Sequence, residues 1–166
     1  GGLAKNAVLT EDIDMTDVEW TPISGANYVN TIHGNGYAIK GLTAPLFWTT
    51  SASVKGLHFV NVDIETNVTS TSHAYYGVLA GTLKPAEGVT ELRVENCSVS
   101  GEVYINNPNF AGDNHFWFGG MIGNAVGVNI DSCISDIEIT ASDKPTGEGK
   151  TKNFAIGGLV GMAAGS

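Results

Sequence analysis

Positive charge is scarce in this chain of 166 residues: lysine and arginine together number 8, and the single arginine is Arg93. Binding to a phosphate backbone needs clustered basic side chains, so a nucleic-acid partner is excluded. The 17 acidic residues leave a net charge of −9, and charged residues of both signs make up only 15% of the sequence. Cysteine is nearly absent as well. Cys97 and Cys133 are too few for a disulfide scaffold, and neither lies in a C-x-x-C pair that would suggest zinc. No apolar run approaches the roughly 18 residues a membrane span requires. Gly1-Gly2 reads as a mature or trimmed end, and no signal peptide is visible. Helical patterning is missing too, since no segment places apolar residues at i, i+3, i+4 and i+7 behind an N-cap.

Glycine, at 22 residues, is abundant, and it recurs in phrases. Tyr76-Gly77-Val78-Leu79-Ala80-Gly81, Phe118-Gly119-Gly120-Met121-Ile122-Gly123 and Ile156-Gly157-Gly158-Leu159-Val160-Gly161 are three versions of one phrase, 42 and 38 residues apart. A second phrase is interleaved: Leu57-His58-Phe59-Val60-Asn61-Val62, Leu92-Arg93-Val94-Glu95-Asn96-Cys97 and Val128-Asn129-Ile130-Asp131-Ser132-Cys133, 35 and 36 residues apart. Self-similarity at one period is the signature of a repeat architecture. Within the second phrase apolar residues alternate with polar ones, as in half-buried strands.

These observations predict an all-β, right-handed parallel β-helix (a β-solenoid) with three strands and about 36 residues per coil, in three to four coils. Residues 1–166 read as a single domain. Residues 3–30 depart from the repeat as an N-terminal cap, and 31–166 form the coils. Asn61, Asn96 and Ser132 are expected to stack at one corner as a structural ladder of polar side chains bonding along the axis. The paired glycines suggest a thin face where backbones approach closely. Leu46-Phe47-Trp48 is expected one coil before Val78-Leu79-Ala80.

The opening segments carry a family likeness. Leu9-Thr10-Glu11-Asp12-Ile13-Asp14-Met15, Trp20-Thr21-Pro22-Ile23, Gly34-Asn35-Gly36-Tyr37-Ala38-Ile39-Lys40-Gly41-Leu42 and Leu46-Phe47 resemble the start of GLUG-type β-solenoids. Gly157-Gly158-Leu159-Val160-Gly161 resembles the GLUG repeat itself. Such modules occur in bacterial adhesin-like proteins and in N-terminal parts of IgA-specific metallopeptidases. The resemblance spans roughly residues 8–164. It implies a secreted or cell-surface location and an adhesive or spacer role, and it supplies no catalytic residues.

Chemistry-bearing motifs are sparse. Gly149-Lys150-Thr151 lacks the upstream glycine of a phosphate loop, because that position is Lys144. Asp12 and Asp14 resemble the first ligands of a calcium loop, but Asp17 stands at its glycine and Ile23 at its bidentate glutamate. No catalytic residue, metal site or cofactor is expected. The alternative is a carbohydrate-active enzyme of β-helix type, a polysaccharide lyase or glycosidase, which needs convergent carboxylates. Glu91, Arg93 and Glu95 share one strand face, and they read as surface ion pairs. Cys97 and Cys133 read as an inward stack of thiols, with a disulfide left open.

His73, Tyr75, His115 and Trp117 are the candidate ligand-binding residues. If Tyr76, Phe118 and Ile156 point inward, these four face outward from adjacent coils, where exposed aromatics suit a glycan or a host surface protein. In the opposite phase Tyr75 and Trp117 are core. A last expectation concerns the end of the chain. Gly157–Gly161 begins a coil whose companion phrase does not follow, so the sequence reads as part of a longer chain whose uncapped C-terminal coil is prone to self-association.

Overall fold

The structure is a computed structural model that describes residues 5–24, 30–67, 74–106, 115–141 and 153–165. Every regular element among them is a β-strand. A first round comprises β1 (Ala7–Val8), β2 (Ile13–Asp14) and β3 (Ile23–Ser24); a second, β4 (Thr31–His33), β5 (Ala38–Lys40) and β6 (Phe47–Thr50). The third adds a fourth strand: β7 (Ser53–Lys55), β8 (His58–Asn67), β9 (Ala74–Tyr76) and β10 (Ala80–Leu83). The fourth is β11 (Leu92–Glu95), β12 (Ser98–Asn106), β13 (His115–Gly119) and β14 (Ile122–Val126). The fifth is β15 (Val128–Asp131), β16 (Ile134–Ala141), β17 (Asn153–Gly157) and β18 (Val160–Ala164).

Corresponding strands pair in parallel from round to round. They give three five-stranded sheets, β1-β4-β7-β11-β15, β2-β5-β8-β12-β16 and β3-β6-β10-β14-β18, and a three-stranded sheet, β9-β13-β17. This is the strand order of a β-solenoid. It differs from the expected three strands per coil, because the longer excursion after β8 has room for an extra strand. It also differs at the N-terminus. The segment expected to be a cap contributes a first round in register, with Ala7 opposite Ile32, Ile13 opposite Ile39 and Ile23 opposite Phe47. Strands of two residues are too short to show an alternation.

Alternation places one set of side chains inside the rounds. Val54, Leu57, Phe59, Val94, Leu79, Phe116 and Phe118 are buried in a continuous core. Removing each from water contributes roughly 1.5–3 kcal/mol. The register corrects one sequence alignment. Val94 lies opposite Val54, and Glu95 opposite Lys55, so the third-round copy of β11 is β7 and not the Leu57 phrase. Both β7 and the start of β8 alternate, and each is followed by a residue of positive φ, Gly56 (59°) and Asn61 (53°), so the period-2 pattern fits two frames. A smaller slip occurs at β6, where Phe47 pairs with Ala80 and not Leu79.

The glycine phrases are in register as read: Tyr76, Phe118 and Ile156 align, as do Ala80, Ile122 and Val160. They place Gly81, Gly123 and Gly161 in one column against the backbone of the three-stranded sheet. A Cβ on Gly123 would lie 2.7 Å from the Gly81 carbonyl oxygen and 2.8 Å from the Tyr75 carbonyl carbon. A Cβ on Gly161 would meet the Phe118 carbonyl at 2.7 Å. Backbone thus packs on backbone at this edge, and no side chain fits between. Gly158, with the same sequence context, has open space around its Cβ position. Gly123→Ala is therefore expected to lower the unfolding free energy by about 1–3 kcal/mol, whereas Gly158→Ala leaves it almost unchanged. Denaturant titration of the two variants checks this, and equal effects would contradict the close packing.

Candidate functional site

The outward aromatic residues sit on the three-stranded sheet. Phe116 and Phe118 are fully buried, so the intervening His115 and Trp117 project from the opposite face, where both are half-buried. Tyr75 lies directly opposite Trp117, and the next position in the column is Ala155. The phase left open by the sequence is therefore outward. His73 lies outside the described residues.

The geometry of this column differs from a flat platform. The Tyr75 and Trp117 rings stack at 4.9 Å with 10° between their planes. That is close to the roughly 4.8 Å separating neighbouring strands, as in-register side chains of adjacent rounds dictate. His115 also stacks on Trp117, at 4.9 Å and 28°. Tyr75 and Trp117 thus each cover one face of the other, and His115 adds a second contact to Trp117.

The corner residues are only partly brought together. Asn96 and Ser132 occupy the same position, since Glu95 faces Asp131 and Ser98 faces Ile134. Their third-round equivalent is Gly56. Asn61 sits elsewhere, at an irregularity of β8 between the pairs Phe59–Val99 and Val62–Gly101. All three residues adopt φ 53°, the left-handed conformation that Asn tolerates better than most side chains. Their side chains are exposed, and the bonds along the axis are made by the backbone: Gly56 N–H donates to Glu95 O at 2.9 Å, and Asn96 N–H to Asp131 O at 3.0 Å. The expected ladder of inward polar side chains is replaced by a ladder of main-chain amides at a turn.

Three outward carboxylates, those of Asp12, Glu91 and Glu95, stand in ion pairs. Arg93 contacts Glu91 at 3.2 Å and Glu95 at 3.4 Å, and Glu95 reaches Lys55 of the preceding round at 2.8 Å. The Lys55 contact holds the Glu95 carboxyl below the usual carboxylate range. Arg93 stands over Ser53, whose hydroxyl accepts from its amide, rather than over His58. Asp12 accepts from the Ala38 amide and pairs with Lys40 at 2.7 Å, while Asp14 accepts from the Thr16 amide. These bonds lower both carboxyl pKa values, that of Asp12 chiefly through Lys40 and that of Asp14 through Thr16. Asp12 thus anchors the first round to the second, while Asp14 braces a local turn. Among the described residues no group of three or more His, Cys, Asp or Glu is placed to hold a metal ion.

The two cysteines are free thiols stacked at the corner. Cys97 is fully buried and its Sγ donates to Glu95 O at 3.3 Å; Cys133, half-buried, repeats the pattern with Asp131 O at 3.3 Å and Val94 O at 3.4 Å. A hydrogen bond from Cys97 lowers the Cys133 thiol to about 7. The same contact, together with burial, pushes the Cys97 thiol up. Cys133 is therefore the more reactive sulfur near neutrality.

No family model matches the sequence, and no curated protein matches it. A crystal structure described as a "putative immunoglobulin A1 protease" from Bacteroides ovatus has a similar fold, with a TM-score of 0.56 and 18% sequence identity. The alignment covers 95% of this chain and 55% of that one, so the chain spans little more than half the protein it matches. No helix among the described residues is long and apolar enough to cross a membrane.

The thiol pair generates a specific expectation. Alkylation of the folded protein by iodoacetamide should label Cys133 first, its rate rising through about pH 7 rather than the ordinary thiol range near 8.5. Cys97 should react only on unfolding, and Cys97→Ala should move the Cys133 profile up. Peptide mapping at a series of pH values reads all three effects; equal labelling of both sulfurs would contradict the stacked arrangement.

Proposed function

We propose that this chain is a non-catalytic, right-handed β-solenoid module of a secreted or surface-displayed bacterial protein, serving adhesion or spacing through contacts with a glycan or a host surface protein. The observation that carries this reading is the state of its outward carboxylates. Glycosidic cleavage by a pair of carboxyl groups requires one to stay protonated near neutrality as the general acid. Here Glu95 is ionised and held between Lys55 and Arg93, Glu91 is held by Arg93, and Asp12 by Lys40.

The fold likeness to part of a longer protein whose description names an immunoglobulin A1 protease supports a module that accompanies other domains. Contact with the substrate or surface that such domains act upon is the role that suits it. Exposed apolar side chains, Ile134 at 65% and Ile156 at 45%, support contact with a neighbouring chain. Large exposed apolar side chains favour pairing with a neighbour.

Incubation with a panel of polysaccharides, assayed for reducing ends and for unsaturated products, separates this proposal from the β-helix lyase or glycosidase alternative. The expected result is no turnover, together with retention of the protein on a glycan array or on host-cell surfaces. Sustained turnover abolished by a single carboxylate substitution, such as Glu91→Gln, would overturn it.

A further inference from the structure

The rounds are not of equal girth, and the change leaves a step. β5 pairs with β8 from Ala38–His58 to Lys40–Val60, and the Asp63 amide still donates to Leu42 O at 3.1 Å. The second round then reaches β6 at Phe47, while the third continues along β8 to Asn67 and returns through β9. β9 is an end strand of its sheet, and among the described residues no second-round strand lies under Ile64–Asn67 or β9. Wider rounds overhang a narrower one.

A cavity of about 290 Å³ opens beneath the overhang, lined by Pro45 and Trp48 on the second round and by Ile64, Glu65, Thr66 and Tyr76 on the third. Trp48 is 39% exposed, and its indole meets the Tyr76 ring edge-to-face at 5.5 Å and 82°. Burial pushes the Tyr76 phenol up, so it stays a neutral donor and acceptor. Thr66 is 4% exposed, and its Oγ1 has no hydrogen-bond partner. A buried hydroxyl left unpaired costs about 1–3 kcal/mol and normally marks a missing partner. Glu65, between the inward Ile64 and Thr66, turns its carboxylate to the outer face, where it accepts from Asn106 Nδ2 at 3.0 Å.

We propose that this step is a binding site for one ring of a neutral saccharide, resting on the adhesive reading given above and naming its ligand class. An aromatic side chain supplies the apolar contact for the C–H face of the sugar, and the hydroxyl groups of Thr66 and Tyr76 match hydroxyls that both donate and accept. Among the described residues no lysine or arginine lines the cavity, and a net charge of −9 disfavours acidic sugars and phosphates. A quaternary ammonium ion suits the aromatic pair but offers the unpaired Thr66 hydroxyl nothing. The site is separate from the Tyr75–Trp117 column, in which each ring already covers one face of the other.

Saturation-transfer NMR and tryptophan fluorescence titration with maltotriose, cellotriose, mannotriose, chitotriose and choline test the proposal on the wild-type chain and on Trp48→Ala, Thr66→Val and Trp117→Ala. The expected result is saturable binding of at least one neutral trisaccharide, weakened about tenfold or more by Trp48→Ala and severalfold by Thr66→Val. Trp117→Ala binds as the wild type does. Thr66→Val preserves side-chain shape, so it reports on the site even if Trp48→Ala disturbs folding, which circular dichroism shows. Absence of saturable binding by all four sugars overturns the proposal, as does tighter binding of choline, or loss of binding in Trp117→Ala alone. None of these outcomes touches the non-catalytic reading, which falls only with polysaccharide turnover.

Discussion

Each round of this chain keeps its backbone amides paired by lying directly on the round before it. A strand within a round has no partner in its own plane, so its N–H and C=O groups point along the axis and must meet a copy about 4.8 Å away. Everything else is arranged around that spacing. Inward side chains stack like on like, as Val54, Val94 and Ile130 do, while outward ones meet in columns such as Lys55–Glu95–Asp131 and Tyr75–Trp117. Where two sheets of one round fold against each other, the same spacing leaves room only for Gly81, Gly123 and Gly161.

The architecture was legible because stacking imposes repetition, and repetition is visible in a single sequence. The glycine phrase was read in the correct register because a Cβ there would strike backbone, so the residue type is fixed at each copy. The Leu57 phrase was read out of register because alternation specifies only which face is buried. Val54 and Phe59 satisfy that demand equally well. Asn61 was drawn into the corner set for the same reason: its φ of 53° matches that of Asn96 and Ser132, but it serves a different turn. The first round escaped notice since two-residue strands carry no period.

The candidate site shows the complementary limit. The outward phase of Trp117 followed from the alternation with Phe116 and Phe118, but whether its faces are open depends on the neighbours 42 and 2 residues away, Tyr75 and His115. The step beneath β8 and β9 was not legible at all. It arises from a difference in girth between rounds, and it joins Trp48 to Thr66 and Tyr76 through no local motif. A repetitive body whose Asp12, Glu91 and Glu95 carboxylates are held in ion pairs is suited to present such a step at a surface rather than to turn over a substrate.

The central claim is the register that stacks the third, fourth and fifth rounds, and interstrand nuclear Overhauser effects in isotope-labelled protein test it most directly. The account predicts contacts between the backbone protons of Val54 and Val94 and between those of Val94 and Ile130, with Tyr75 linked to Trp117. Contacts joining Phe59 to Val94 instead would place the Leu57 phrase beside β11 and contradict the stacking described.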